Sequence, residues 1–531
     1  MSRFTYPNER PPRPGLSFLG RAFGSVVLIA VLAAAATATA GLMKIKDEIE
    51  TPADAPPPIK AAPHVIDEDV KPGKPQTILI LGSDRRWSDL KKNNPALAKS
   101  NPARSDTIML IRMDPDQEAT AVMSIPRDLK VLIPGYGVNK INAAYSLGGP
   151  SLTAQTIKQL FGSDFKINHI VNVNFKGFRE VVDEIGCVYA DVDRRYYHSN
   201  LGLPVSQHYA EIDVEPGYQQ LCGQRALDYV RFRHADSDLV RAARQQDFLR
   251  AAKDQLSKSS LINESGDLIK ILKKNTQTDE SLRSVKGALK LAKLGIFSAG
   301  HPVVQLKFDP VYSGDPETGQ YVEASANELA RLRNQFFHAS PKVKKKSSSS
   351  SSSKGKGKGK KASKAVSGNS RIKNAKVTSA RKTGENVVAP TVAQHRLGFR
   401  LYFPTQLTPN GRYASTEKDA SLVDPAPRVY TIRDRAGRKH RAYRLVVLEN
   451  MQEGAYYGIE GMSWTSPPLL ANPTSTLTVR GKKLYLYKSG SRLRYVAYKR
   501  KKAVYWVSNS LQMTLSNAQM LAIASSLTYL K

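Results

Sequence analysis

Gly82-Ser83-Asp84-Arg85, Arg104-Ser105-Asp106-Thr107 and Ser124-Ile125-Pro126-Arg127-Asp128 are the three stretches from which this chain is best read. Each adjoins a short apolar run, respectively Thr77 to Leu81, Ile108 to Ile111 and Ala121 to Ile125. Apolar runs of this length, bounded by polar turn formers, read as buried strands. Charged groups at strand ends are where an α/β sheet collects a ligand. A second basic set follows further along the chain: Arg231, Arg233, Arg241, Arg244 and Gln245. Two carboxylates answered by several arginines point to a divalent metal and a phosphate-rich ligand.

The pattern around these stretches alternates strand and helix. Asp114-Pro115-Asp116 is a turn signal between Ile108–Met113 and Ala119–Ile125, which therefore form a hairpin. Asn142–Leu147 and Ser151–Phe161 read as helices separated by Gly148-Gly149-Pro150, with Ser151 as N-cap. Ile167–Asn174 is strand-like, Phe175–Ile185 helical and Cys187–Val192 strand-like. Gln224–Arg233 and Leu239–Leu256 read as two helices joined by His234–Asp238. Ser281–Leu294 is helical and Val303–Phe308 strand-like, in an extension of the same unit. The fold class is α/β, a mixed central sheet flanked by helices over 76–338.

The rest of the 531 residues sets this unit in context. Residues 1–21 are rich in Pro and Arg, and Ala22 to Met43 carries no charge. That run is long enough to cross a bilayer as a helix. The arginines before it keep the N-terminus cytoplasmic and the main domains outside, in a single-pass plasma-membrane protein. A cleaved signal peptide is the alternative, since Ala38-Thr39-Ala40 resembles a cleavage site. Residues 44–75 form a Pro- and Ala-rich linker. Residues 339–396 read as a disordered basic linker, with seven serines (Ser347 to Ser353) followed by alternating Lys and Gly. Between Pro341 and Gly384 lie 15 Lys/Arg and no acid, so this stretch holds +15 of the net charge of +34. Residues 397–531 read as an antiparallel α+β domain with no catalytic constellation, closed by a helix over Ser516–Leu527. The lysines lack any base-stacking motif, and nucleic acid is not an expected partner.

Taken by themselves the two charged sets are ambiguous. Asp84 and Asp106 suit Mg²⁺ as hard oxygen ligands, yet surface Asp–Arg pairs are common. Arg241 shares a helix face with Arg244 or Gln245. That face either grips phosphate oxygens through its guanidinium forks or is a solvated face paired with Asp236, Asp238 and Asp247.

Together with Lys140-Ile141-Asn142-Ala143-Ala144-Tyr145, Arg231-Phe232-Arg233 and Arg241-Ala242-Ala243-Arg244-Gln245-Gln246, the opening stretches resemble the LytR–CpsA–Psr family over Thr77 to Ala252. The resemblance implies a membrane-anchored phosphotransferase that moves a glycopolymer from a polyprenyl-pyrophosphate carrier to peptidoglycan through a phosphodiester. It implies Mg²⁺ (or Mn²⁺) at Asp84 and Asp106, with Asp84 either a metal ligand or the group acting on the attacking hydroxyl. It also implies pyrophosphate binding by Arg104, Arg127, Arg231, Arg233, Arg241 and Gln245, with Arg127 essential to transfer. The family's lysine is matched by Lys140 or by Lys158. A non-catalytic polyprenyl-phosphate or glycan binder would keep the arginines, and a polyprenyl-pyrophosphate pyrophosphatase would release lipid without transfer.

Two features depart from or add to the pattern. A polar insertion, Trp87 to Pro102, reads as a lid or wall-facing loop, and His234 to Val240 lacks glycine. Cys187 and Cys222 flank an excursion over Asp193 to Gly217, and in an exported domain they pair as a disulfide. Neither the glycopolymer nor an oligomeric state is written in the sequence.

Overall fold

The computed structural model describes residues 55–61, 65–67, 74–83, 105–204, 208, 210–232, 238–255, 273–284, 287, 294, 301–309, 311–315, 319–339, 368–414, 427–450 and 454–530. The expectations for 1–21, the uncharged span 22–43, Asp84, the insertion 87–102, Arg104 and Arg233 fall outside these residues, as does the side chain of Asp106. Among the described residues no helix is long and apolar enough to cross a membrane.

In chain order the first unit runs β1 (Gln76–Ser83), β2 (Ser105–Asp114), β3 (Ala119–Ile125), β4 (Lys130–Ile133), β5 (Gly137–Lys140), α1 (Ile141–Phe161), β6 (His169–Asn174) and α2 (Phe175–Glu184). It continues with β7 (Val188–Val192), β8 (Tyr196–His198), β9 (Ile212–Val214), β10 (Gly217–Leu221), α3 (Gly223–Arg231), α4 (Asp238–Asp254), β11 (Thr276–Thr278), α5 (Glu280–Arg283), β12 (Val303–Leu306), β13 (Val311–Asp315), β14 (Gly319–Glu323) and α6 (Ala326–Phe337).

Six strands form the central sheet in the order β11-β6-β1-β2-β3-β12. β1 pairs antiparallel with β2 and parallel with β6, so the sheet is mixed. Alternation along β1 feeds two cores. Ile78 and Ile80 pack with residues of α2, α3 and α4, while Leu79 and Leu81 pack with residues of α1 and α6. Burial on both faces explains why the run reads as continuous rather than alternating.

Two expectations change here. The helix over Ser281–Leu294 is interrupted, because Ser284 leaves α5 in extended backbone (φ −70, ψ 142) before Gly287 and Leu294 are helical again. The region after 262 belongs to the same unit, as expected, and supplies both edges of its sheet, β11 and β12. Ser151 is not an N-cap: Gly148 and Gly149 carry the non-helical angles inside α1, and Pro150 resumes the helix.

The second unit contains β15 (Thr378–Ser379), α7 (Arg381–Gln394), β16 (Tyr402–Pro404), β17 (Gln406–Leu407), β18 (Arg412–Tyr413), β19 (Arg428–Arg433), β20 (Lys439–Asn450) and β21 (Ala455–Met462). β22 (Ser475–Val479), β23 (Lys482–Ser489), β24 (Arg492–Arg500), β25 (Ala503–Ser508), α8 (Asn517–Ser525) and β26 (Leu527–Tyr529) complete it. An eight-stranded antiparallel sheet runs β18-β20-β21-β25-β24-β23-β22, with β19 also on β20. Residues of α7 and α8 share a core with one face of it. Ser516 caps α8 through a capping box with Gln519. The last part of the linker expected over 339–396 is therefore folded, because Val388 of α7 is buried in this core.

The opposite face of that sheet packs on the first unit. Tyr189 of β7 and Tyr218 of β10 form one cluster with Trp464, Tyr487, Tyr495 and Trp506. The Tyr430 hydroxyl accepts from the Tyr218 amide at 2.8 Å, and Tyr189 donates to the Arg433 carbonyl at 2.9 Å.

Candidate functional site

The site begins where β1 ends. Gly82 pairs with Thr107 and Ser83 with Ser105, so the register shifts and Asp106 is the extra residue of a bulge. A Cβ on Gly82 would lie 2.9 Å from the Thr107 Cβ, so only glycine lets the two strands close here. Ser105 Oγ donates to the Gly82 carbonyl at 3.1 Å and to the Thr107 carbonyl at 2.9 Å. Asp84 is the next residue after Ser83 in the chain, and Asp106 the next after Ser105.

The basic helix reaches this edge from the other half of the unit. Gln245 Nε2 donates to Thr107 Oγ1 at 2.9 Å and to the Val230 carbonyl at 3.2 Å. Gln246 Nε2 donates to Ser124 Oγ at 2.9 Å. α4 is thereby pinned across the ends of β2 and β3, next to the residue in the bulge. Arg244 is fully buried and donates to the Phe232 carbonyl at 2.6 Å, with its guanidinium 4.5 Å from the Tyr196 ring centre. It holds the turn after α3 against α4. Arg241, one turn earlier, is also buried.

Arg231 closes α3, where its Nη2 lies 2.8 Å from Asp228 Oδ1 and its guanidinium stands over Phe175. Burial raises the Asp228 carboxyl above its ordinary value, against the pull of Arg231. Arg127 and Lys140 share one acid: Arg127 Nε is 3.3 Å and Lys140 Nζ 3.4 Å from Asp128. Lys158 lies elsewhere, with its Nζ 3.0 Å from Asp67, whose carboxylate also accepts from the Ile167 amide beyond the opposite end of β6. Of the two lysines, Lys140 is the one beside Arg127. The solvated-face alternative for α4 fails at Asp247, which pairs with Arg494 of the second unit.

That pair belongs to a wider brace on α4. Arg250 Nη2 donates to Ser489 Oγ at 2.6 Å, and Val240 and Ala243 pack against Leu511. The helix carrying Arg241 and Gln245 is thus held on one side by the sheet ends and on another by the C-terminal unit. Thr107 and Ser124 stand within the quoted motifs, but only the fold shows that glutamines of α4 bond to them. Arg494, Ser489 and Leu511 have no local signal at all.

A cavity of about 1230 Å³ opens at the other end of the sheet, lined by Lys74, Arg112, Phe161, Lys166, Arg333 and Phe337 among others. Arg112 is the register partner of Thr77, five residues along β1 from Gly82, so this cavity lies away from the site. Among the described residues the one close group of Cys, His or carboxylate ligands is Asp183 with Cys187 and Cys222, whose sulfurs are paired with each other, so it is no metal centre.

The family model described as LytR_cpsA_psr family matches residues 36–335. The chain is 34% identical over 210 residues to the polyisoprenyl-teichoic acid–peptidoglycan teichoic acid transferase TagU of Oceanobacillus iheyensis, covering 38% of this chain and 58% of that one. It is 31% identical over 221 residues to the transferase of the same description, TagT, of Bacillus subtilis, covering 41% and 65%. The chain thus spans less than two thirds of either relative. The crystal structure of B. subtilis TagV is similar at 25% identity and a TM-score of 0.40, over 50% of this chain and 98% of that one.

Proposed function

The chain belongs to the LytR_cpsA_psr family, and we propose that it transfers a glycopolymer from a polyprenyl-pyrophosphate carrier to peptidoglycan through a phosphodiester. The observation that carries this reading is the Gln245–Thr107 hydrogen bond. It ties the arginine-bearing helix to the strand end that bears Asp106, which supports reading the helix as phosphate-binding and that strand end as metal-binding. The relatives' names, which link a polyisoprenyl-borne teichoic acid to peptidoglycan, agree with it.

In this reading a peptidoglycan hydroxyl attacks the phosphorus bonded to the sugar. A new O–P bond forms, the bridging P–O bond of the pyrophosphate breaks, and polyprenyl phosphate leaves with the electron pair. The hydroxyl proton passes to Asp84 or to water. Arg104, Arg127, Lys140, Arg231, Arg233, Arg241 and Gln245 neutralise and align the phosphates, and fixed cationic donors lower the barrier without reorganising. Asp84 and Asp106 would hold Mg²⁺ or Mn²⁺. Their oxygen donors suit such an ion, and the bulge at Asp106 brings its backbone to the end of β1. When bound, the ion supplies positive charge to phosphate oxygens.

The reading also places residues 22–43 in the plasma membrane, with the folded units outside it. In that compartment Cys187 and Cys222 form a disulfide.

The test uses the full chain in detergent with Mg²⁺, a polyprenyl-pyrophosphate-linked glycan and peptidoglycan. Polyprenyl monophosphate and glycan-bearing peptidoglycan should appear in equal amounts. Monophosphate without coupled glycan would make the chain a pyrophosphatase instead.

A further inference from the structure

The β4–β5 hairpin carries apolar side chains on its outward face as well as on its buried one. Its register pairs Lys130 with Lys140 and Leu132 with Val138, so these four side chains share one face. Leu132 is 53%, Val138 59% and Tyr136 at the turn 55% exposed. The other face, Val131 and Ile133, is buried in the core beside Leu81 and Ile125. Exposed aliphatic residues opposite each other on a short hairpin are costly in water, and a grouped apolar patch marks a binding surface. The lysines stand at the hairpin's base with the Tyr321 ring beside both ammonium groups, 5.5 and 5.6 Å away. An apolar tip above a collar of Tyr321, Arg127 and the two lysines, which also pair with Glu323 and Asp128, matches the layering of a bilayer interface, with acyl chains inside and polar headgroups outside.

The hairpin springs from the candidate site. Its first strand follows Arg127 and Asp128, and the Asn142 amide just after its second strand donates to the Arg127 carbonyl at 3.1 Å.

Ile59 bridges Asp279 in parallel, and the Asp67 amide donates to the Ile167 carbonyl. β11 runs antiparallel to β6, from Thr276 beside Val173 to Thr278 beside Val171, away from the end of β6 level with Ser83. Residues 55–59 therefore also run away from the catalytic edge, so residue 55 lies toward it. Only residues 44–54 separate the uncharged stretch 22–43 from residue 55, a contour of at most about 40 Å.

We propose that the β4–β5 hairpin docks on an anionic phospholipid surface, immersing Leu132, Tyr136 and Val138 and turning the catalytic edge toward the membrane. A pyrophosphate head at the bilayer surface would then meet the arginines. The inference rests on the proposed function for the lipid substrate and for the membrane placement of residues 22–43.

The experiment uses the full chain in vesicles of phosphatidylcholine and phosphatidylglycerol. With Cys187 and Cys222 paired, Val138→Cys offers one reactive thiol for an environment-sensitive fluorophore. Val392→Cys, exposed on α7, serves as the comparison. We expect a blue shift at position 138 and quenching by acyl-chain spin labels several-fold stronger than at 392. No quenching at 138, or equal quenching at both, overturns the proposal. Tyr136→Cys gives a second reading if the first label perturbs the hairpin. Quenching needs no turnover. An active enzyme with a dry hairpin therefore sinks the docking surface alone, whereas an immersed hairpin on a chain that transfers nothing supports the surface and sinks the transfer reading.

Discussion

Arg444 Nη1 of the C-terminal sheet lies 2.7 Å from Asp191 Oδ1 of β7, with the two side chains 0% and 2% exposed. The pair crosses the interface between the units and is walled by Trp506, whose Nε1 also faces Asp191. Burial would lower the Arg444 pKa, and Asp191 and Glu460 outweigh it and raise it. Breaking one side of such a pair leaves a bare charge in a dry place. Asp191→Ala should destabilise the chain by about 3–5 kcal/mol, and Asp191→Ala with Arg444→Met should recover part of that loss. Denaturant unfolding followed by tryptophan fluorescence checks this. A single-variant cost below about 1 kcal/mol would mean the pair behaves like an exposed one.

Glu460 sits beside this pair, and burial pushes its carboxyl up to about 8. The Tyr430 hydroxyl donates to it. The folded chain thus keeps a proton that the unfolded chain releases near pH 4.5. Between about pH 4.5 and 8 the folded state binds more protons, so this group's contribution falls as pH rises through that window. Glu460→Gln removes the titration. Its unfolding midpoint should rise relative to the natural chain as pH goes from 5 to 8, and a difference that does not change with pH would contradict the assignment.

Gly82→Ala forces a Cβ to within 2.9 Å of the Thr107 Cβ. The strand ends must part, at a cost of about 1–3 kcal/mol. Because Thr107 also accepts from Gln245, transfer should fall further than the loss of stability explains. Thr107→Val tests the bond itself. It should lower kcat with the unfolding midpoint shifted by less than in Gly82→Ala, and unchanged kcat would remove Gln245 from the site's support.

Reduction of the Cys187–Cys222 pair opens a loop with a sequence separation of 35 residues. In the chain-entropy account this costs roughly 3–4 kcal/mol. Unfolding with and without reductant measures it. The loop carries β8, whose Tyr196 stacks on Arg244, so transfer should fall along with stability.

Much of the first unit was legible because its strands are buried on both faces and read as apolar runs, as in Thr77–Leu81. β11 was not, because Thr276-Gln277-Thr278 is polar and becomes a strand only by pairing with β6. β21 was hidden by its glycines. Gly458 and Gly461 weaken its strand pattern, and a Cβ at 458 would strike the Arg444 guanidinium and one at 461 the Tyr443 ring. They are small so that large neighbours can be buried, and that reason exists only in three dimensions. α7 lies against a lysine-rich stretch and contains Gly384 and Pro390, which mask its helical pattern. At the site, the motifs marked Arg127, Arg241 and Gln245, but chain order could not choose between Lys140 and Lys158. The fold separates them: Lys140 shares Asp128 with Arg127, and Lys158 pairs with distant Asp67.

The central claim is that the edge bearing Arg127 moves a phosphoryl-linked glycan onto peptidoglycan. The most direct measurement compares the natural chain with Arg127→Ala, using Mg²⁺, lipid-linked glycan and peptidoglycan, with the phosphodiester-linked product quantified and folding checked by the unfolding midpoint. The account predicts product from the natural chain and loss of about two orders of magnitude or more in the variant, with the midpoint little changed. Near-normal transfer by a folded Arg127→Ala chain would contradict it.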